Sequence, residues 1–397
     1  MKKRIFVFVL TAILCFAAII FGAAAPKSRA VPMEIVAGEN VHKLTCRVPL
    51  NKDVMRISKY KKSFALFCNN EFSGDEKGFL RYLDSEFYEE LEEVCEKEYL
   101  APQEPAAIFS ADDFSYIDGK DGLKIDRKKL FSDVIISLDC GGAVIAEKKA
   151  VSPVRTVEEL KKNTVAAATF RTDYSRSADG RKRNIELACE RLNLSEIPSR
   201  GWLGFNATVG ERTVENGFGN AKIILNGEYV EGIGGGVCQV STTLYNAWLT
   251  AGYAVAASSN HSLPTSYVPP SLDAMVSSVS DLILYNDSDY PAYISALCDG
   301  KQIKITVYGR KPRYKIKLRS ETVKIVPSKY VEKNDENITW EEGEKSRIIK
   351  KAYDGVYSRA YREYYLGDRL IKSEKIKDSY YKVRDGEIVI RKPENAI

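Results

Sequence analysis

The residues best equipped for chemistry lie in GIGGGVCQVSTTLYNAWLTAGY, Gly232–Tyr253, and in the segment just after it. Gly234, Gly235 and Gly236 let the backbone turn sharply and approach its neighbours closely, which glycine does without strain. Cys238 then falls in the first turn of a helix expected over Val237–Ala251 and ended at Gly252. There the unpaired N–H groups and the positive end of the helix dipole stabilise a thiolate, and the N–H groups of Val237–Gln239 can hold an oxyanion. Gln239, Ser241 and Thr242 add polar groups. His261 follows Cys238 by 23 residues, and Asp273 follows His261 by 12. Cys, His, Asp is the order of papain-like and transglutaminase-like thiol enzymes, in which the thiol opens a helix and the other two stand on following strands. A thiol of pKa about 8.5 needs an imidazole or a helix end to ionise at neutral pH. The imidazole in turn needs a carboxylate or amide to fix its tautomer, and Asn260 is a second candidate for that role. The plainer reading is a small residue in a tight turn and a histidine bonded to a backbone carbonyl.

Several elements must position these groups. Leu244, Ala247, Trp248 and Ala251 form one apolar stripe that anchors the cysteine helix. Asn184–Leu192 predicts a short helix with Ile185, Ala188 and Leu192 inward. Asp281–Asn286, Tyr290–Leu297 and Gln302–Tyr308 read as strands, with Gly300 in a hairpin turn. Upstream, Phe79, Leu83, Phe87, Leu91 and Val94 predict one amphipathic helix over Gly78–Tyr99. DFSYIDGKDGLKIDRKKLFSDVIISL reads as two short strands around a Gly turn, then a helix opening near Asp126. Thr156 and Glu159 have the spacing of a capping box. Beyond Lys311 the chain alternates over long runs rich in Tyr, Lys and Arg, with turns at Gly367 and Gly386. This predicts a solvent-exposed antiparallel ribbon with tyrosine cross-strand pairs.

The 397 residues carry 59 Lys and Arg against 54 Asp and Glu, a spread excess of +5 that suits an anionic surface and does not call for nucleic acid. With two histidines and no CxxC spacing, no metal site and no cofactor are expected. Lys2, Lys3 and Arg4 precede an apolar run from Ile5 to Ala25, whose 21 residues suffice to cross a hydrocarbon core of about 30 Å. The basic flank keeps the N-terminus inside and sends the rest outward. Ala23-Ala24-Ala25 resembles a cleavage site that Pro26 would hinder, so a signal peptide and an uncleaved anchor are both open. Either makes the protein extracytoplasmic, membrane-anchored or secreted. Seven cysteines besides Cys15 are an odd number, so at least one thiol is expected free or paired with another molecule.

The pieces FRTDYS, RKRNIELA, FNATVGERTVENGF, GGGVCQVSTTLYNAWLTAG, NHSLPTSYVP, LDAMV and DLILYND run in order through Phe170–Arg310. In them the chain resembles the VanW family, named for an accessory protein of vancomycin-resistance clusters. The stretch from DGLKIDRKKLF to SPVRTVEEL resembles the peptidoglycan-binding region that often precedes this domain, and the tail distantly resembles small adhesion modules of cell-wall proteins. The resemblance implies a cell-envelope role but supplies no reaction. Carried over by position, it marks Arg183, Asn184, Asn206, Gly235, Gly236, Cys238, Gln239, Ser241, Thr242, His261, Tyr267 and Asp273. Of these, Cys238, His261 and Asp273 are the candidate catalytic set, and the others are candidate substrate-binding residues. Three segments depart from the family pattern: SRGWLGFN replaces a Pro-Gly-acid lead, and Ser258-Ser259-Asn260 and Ser271-Leu272 stand where an Arg and a Gly are usual.

The expected fold is α+β and multidomain. Residues 1–30 are a signal peptide or anchor, 31–165 a peptidoglycan-binding-like α+β region, 166–312 a central mixed α+β domain, and 313–397 a β-rich wall module. The first functional reading is binding of peptidoglycan or its peptide stems, in a groove lined by Tyr267, Trp202 and Asn206. Expected partners are those wall peptides and the cell membrane, through the N-terminal helix. The alternative is a papain- or transglutaminase-like thiol enzyme that acts on wall-peptide amide bonds through Cys238, His261 and Asp273. A third reading makes the tyrosine-rich ribbon a docking face for wall enzymes.

Overall fold

The computed structural model describes residues 28–49, 75–110, 113–138, 141–225, 228–334 and 338–391. The apolar run at 5–25 and Cys15, Cys68 and Cys140 lie outside them. Among the described residues no helix is long and apolar enough to cross a membrane. The described chain is mixed α+β, mostly strands with seven helices, and divides into two compact units.

The first unit comprises residues up to Pro105 together with Asp118–Thr156. Strands β1 (Ser28–Ala37) and β2 (Asn40–Pro49) form an antiparallel hairpin. The single amphipathic helix expected over Gly78–Tyr99 is instead two, α1 (Glu76–Leu83) and α2 (Ser85–Lys97). Asp84 takes an extended backbone between them, and its carboxylate caps α2 by accepting from the N–H of Phe87. The apolar stripe survives the break, because Phe79, Leu83, Phe87, Leu91 and Val94 are all buried. The chain then leaves for the second unit as the hairpin β3 (Ala106–Ser110) and β4 (Asp113–Ile117) and returns as β5 (Gly122–Ile125). The two strands read around one glycine turn therefore do not pair with each other. Asp126 caps α3 (Arg127–Ser137), β6 (Gly142–Ile145) pairs parallel with β1, and β7 (Lys148–Val151) pairs with β5.

The second unit comprises Ala106–Ile117 and Val157–Ile397. It opens with α4 (Val157–Lys162), directly after Thr156, and then β8 (Val165–Asp173) and α5 (Asp179–Leu192). Helix α5 starts five residues before the expected Asn184, within ADGRKR, where polarity hides the start of the periodic pattern. Short elements β9 (Ser195–Ile197), β10 (Trp202–Gly204) and α6 (Phe205–Val209) follow, then the ribbon β11 (Asn220–Leu225) and β12 (Glu228–Ile233). Helix α7 (Val237–Thr250) and β13 (Ala254–Ala257) precede a long irregular segment and the strands β14 (Ile283–Tyr285), β15 (Ala292–Cys298) and β16 (Gln302–Gly309). The order β8-β16-β15-β9 makes a four-stranded antiparallel sheet, with α5 against β15 and α7 against β8 and β16. The core beneath includes Ile185, Leu192, Leu244, Trp248, Ile294 and Ile305. α7 is buried on nearly every side rather than along one stripe, because α5, β13 and β17 (Lys315–Val326) also close over it.

The remaining strands are β18 (Tyr330–Glu332), β19 (Ser346–Lys350), β20 (Gly355–Leu366), β21 (Arg369–Tyr381) and β22 (Gly386–Ile390). The sheet β17-β20-β21 is antiparallel, and Tyr357 stacks on its cross-strand partner Tyr380 at 4.3 Å. The expected ribbon needs two corrections. β18 and β22 pair parallel, and Ala360 is fully buried against Val268 and Leu272 instead of facing solvent.

Candidate active site

Cys238 sits in the first turn of α7. The residue capping that helix is Gly236 at φ 108°, a left-handed conformation that suits glycine. A Cβ there would lie 2.9 Å from Cγ of Arg181 and 3.0 Å from Cγ1 of Ile185. Asn184 on α5 fixes the turn from below. It is buried, its amide donates to the carbonyls of Gly219 and Gly235, and its Oδ1 accepts from the N–H of Gly219.

His261 and Asp273 come from the irregular segment between β13 and β14, not from strands as the papain-like pattern requires. Hydrogen bonds replace strand geometry in holding them. Oδ2 of Asp273 lies 2.7 Å from His261 Nδ1 and accepts from the His261 N–H at 2.7 Å. Oδ1 accepts from the Tyr381 hydroxyl at 2.5 Å, and the Asp273 carbonyl accepts from Lys377 Nζ at 2.7 Å. Both of these residues lie on β21. His261 and Asp273 are 5% and 1% exposed, while Cys238 is half-buried. With Nδ1 engaged, the second ring nitrogen is the one left for the Cys238 thiol, and the two groups shift each other's pKa. The thiol also donates to the Val276 carbonyl at 3.3 Å. Asn260 instead donates to the carbonyls of His261 and Tyr380, so Asp273 holds the third role.

The electrostatics favour an ion pair. Burial disfavours the Cys238 thiolate, but the His261 hydrogen bond and charge, with Arg212 nearby, outweigh it and lower the pKa. Burial likewise opposes the His261 imidazolium, yet Asp273 and Cys238 together push its pKa up to about 9. Asp273 is held below its ordinary value by His261 and Lys377 against the opposing effect of burial. Cys46 provides the contrast. Buried with no cation beside it, its thiol is pushed up to about 12 by burial and by Asp84.

The thiol opens on a cleft of about 1660 Å³ whose lining includes Arg181, Asn206, Arg212, Gly235, His261 and Tyr267. Most of the expected substrate-binding residues serve as framework. Gln239 is buried, donates to Thr172 and to the Asp173 carbonyl, and accepts from Arg181. Ser241 and Thr242 are buried and tie α7 to the backbone of Ala274 beside Asp273. Asn184 and Gly235 shape the turn. Asn206 lines the cleft, where its Oδ1 accepts from Arg212 at 2.6 Å. Tyr267 also lines it, and its hydroxyl bonds Thr242. Arg183 is exposed on α5 and outside the cleft lining. Trp202 is 59% exposed, stacks on Tyr285 at 4.2 Å and does not join Tyr267 and Asn206 in one groove. Of the oxyanion donors expected at 237–239, the N–H groups of Val237 and Gln239 are bonded to the carbonyls of Gly234 and Gly236. Sequence reasoning missed Arg181, Arg212, Lys377 and Tyr381. Among the described residues no group of three or more His, Cys, Asp or Glu could hold a metal ion.

Residues 180–308 match the family model described as VanW like protein. The chain is 35% identical over 148 residues to the Uncharacterized protein YoaR of Bacillus subtilis (strain 168). That alignment covers 37% of this chain and 49% of YoaR, so the chain spans about half the length of that relative. A solved structure, the crystal structure of HP0197-G5, is matched over 20% of this chain and all of that one at 11% identity and a TM-score of 0.13, a likeness too weak to fix a shared fold. Cys238, His261 and Asp273 all lie within the matched residues, so the chain carries them in a VanW-like domain.

Proposed function

We propose that the VanW-like domain is a thiol enzyme that cleaves, or transfers acyl groups at, amide bonds of cell-envelope peptides. The observation that carries this reading is the buried hydrogen bond of His261 to Asp273, with the Cys238 thiol under the influence of that imidazole, beside an open cleft. The reactive form is the pair of thiolate and imidazolium. The thiolate attacks the amide carbonyl, the C–N bond breaks, and His261 passes its proton to the departing amine, leaving a thioester and neutral imidazole. Water or the amine of a second peptide then attacks the thioester. His261 takes the proton from that attacker, the C–S bond breaks, and the thiolate–imidazolium pair returns. Asp273 orients the ring and stabilises its charged form.

The substrate class is supported by the outward topology that Lys2–Arg4 and the run after them imply, and by the cell-envelope role that the resemblance to VanW proteins implies. On the same grounds the upstream unit serves to hold peptidoglycan. The purified full chain should release new amines from solubilised peptidoglycan, read by mass spectrometry. Replacing Cys238 with Ser or His261 with Ala should slow this by about 10²-fold or more. Unchanged turnover in Cys238→Ser contradicts the reading. Binding without turnover, the first reading from sequence, is favoured by the size of the cleft. It requires saturable retention on insoluble peptidoglycan that survives Cys238→Ala, with no product released.

A further inference from the structure

We infer that Arg212 is a carboxylate-binding residue of this cleft, so that the substrate is a peptide with a free carboxylate beside the amide presented to Cys238. The inference deepens the proposed function and rests on it for the reaction, though not for the binding. Arg212 lines the cleft and is half-buried. Its stem crosses Gly234, where an added Cβ would lie 2.7 Å from Cβ of Arg212, so the turn leaves the stem its path. One guanidinium N–H donates to Asn206 Oδ1 at 2.6 Å. The Asn206 amide donates in turn to the carbonyls of Ser277 and Ser280, just beyond the Val276 carbonyl that accepts the Cys238 thiol. The guanidinium is thereby fixed relative to the thiol, near enough to favour its ionisation.

What Arg212 lacks is a hydrogen-bonded anion. A guanidinium presents five N–H donors, and the partner here is a neutral amide oxygen. Among the described residues Arg212 makes no ion pair. Cys238 and Asp281 act on it electrostatically without a hydrogen bond to it, and Asp281 Oδ1 is occupied by the N–H groups of Asn206 and Leu282. Burial is the largest influence on Arg212 and weakens its hold on its proton. A half-buried cation in this state is relieved by a ligand carboxylate, whose two oxygens fit the guanidinium fork. Two more arginines line the cleft: Arg181 is held in the wall by Ser177 and Gln239, and Arg176 is exposed at the surface.

The test is a binding measurement on the full chain carrying Cys238→Ala, which has no thiol and cannot turn over. Acetyl-lysyl-D-alanyl-D-alanine with a free terminal carboxylate is compared by calorimetry with the same peptide as its carboxamide. A second pair, acetyl-glutamyl-D-alaninamide and acetyl-glutaminyl-D-alaninamide, moves the carboxylate to the acyl side. The expected result is about tenfold tighter binding of the acid in one of the pairs, the pair telling which side Arg212 serves. That preference should vanish when Arg212→Gln is added and persist in part with Arg212→Lys, which keeps the charge and guards against a folding defect. No preference in either pair, or one that survives Arg212→Gln, overturns the inference. If the preference holds while the wild-type chain shows no turnover, the thiol-enzyme reading fails and the carboxylate site stands.

Discussion

At the scale of single residues, the chemistry rests on how differently two buried thiols are treated. Burial alone raises a thiol, as at Cys46; Cys238 is lowered because an imidazolium and a guanidinium face it. The sign of the pH dependence follows. Turnover should rise with pH as Cys238 ionises, below the free-thiol value of about 8.5. It should fall again as His261 loses its proton through about 9, since the departing amine then has no acid. A kcat/KM profile in which His261→Ala abolishes the upper limb checks this. The candidate set was legible as a cluster because few residues compete for it. The chain has two histidines, and one cysteine follows a glycine triplet. Arg212 was not legible, since local spacing does not distinguish one arginine among 59 basic residues, and only the fold shows which lines the cleft bonded to a neutral amide. Two of the three segments that depart from the family pattern contain a non-glycine residue in the left-handed region, Arg200 at φ 57° and Ser271 at φ 67°. Ser271 is held there by its N–H to the Tyr381 hydroxyl and by its Oγ against Ser358.

At the scale of elements, α7 shows what pattern reading can and cannot reach. Its start and end were plain from the glycine triplet and Gly252, and the structure agrees to within a residue. Its burial on nearly every side was not, because that depends on which elements later close over it. The split of α1 from α2 was hidden for a related reason: the apolar stripe runs on through Asp84, and only the carboxylate cap marks the break. The turn before α7 carries the clearest prediction at this scale. Gly236→Ala places a Cβ at φ 108° within 3.0 Å of two side-chain carbons of α5. The left-handed backbone alone costs about 1–2 kcal/mol, and the clash adds to it. Urea unfolding should show a loss of at least that size, with faster proteolysis at the turn. A variant as stable as wild type would mean that the turn is adaptable and does not fix the thiol.

At the scale of the whole molecule, the family match ends at residue 308, yet the site does not. Asp273 is held by Lys377 and Tyr381, which are more than 100 residues further on. No sequence periodicity signals such a contact, and the ribbon looked exposed because its alternation hides which end is covered. Tyr381→Phe removes a hydroxyl that donates to Asp273 and accepts from the N–H of Ser271. With two buried partners left unsatisfied, it should destabilise the chain by about 1–3 kcal/mol, measured by thermal unfolding, and raise the Cys238 pKa as Asp273 loosens its hold on His261. An unchanged thiol in Tyr381→Phe would make the C-terminal sheet a neighbour of the site and not part of it. The central claim, that this molecule assembles an activated thiol, is tested most directly by the pH dependence of Cys238 alkylation. The purified chain would be mapped peptide by peptide, with His261→Ala alongside. The account predicts fast modification, half-maximal below the ordinary thiol value of about 8.5, and slower modification with a higher midpoint when His261 is absent. A Cys238 that titrates as a free thiol, or is unaffected by loss of His261, would contradict it.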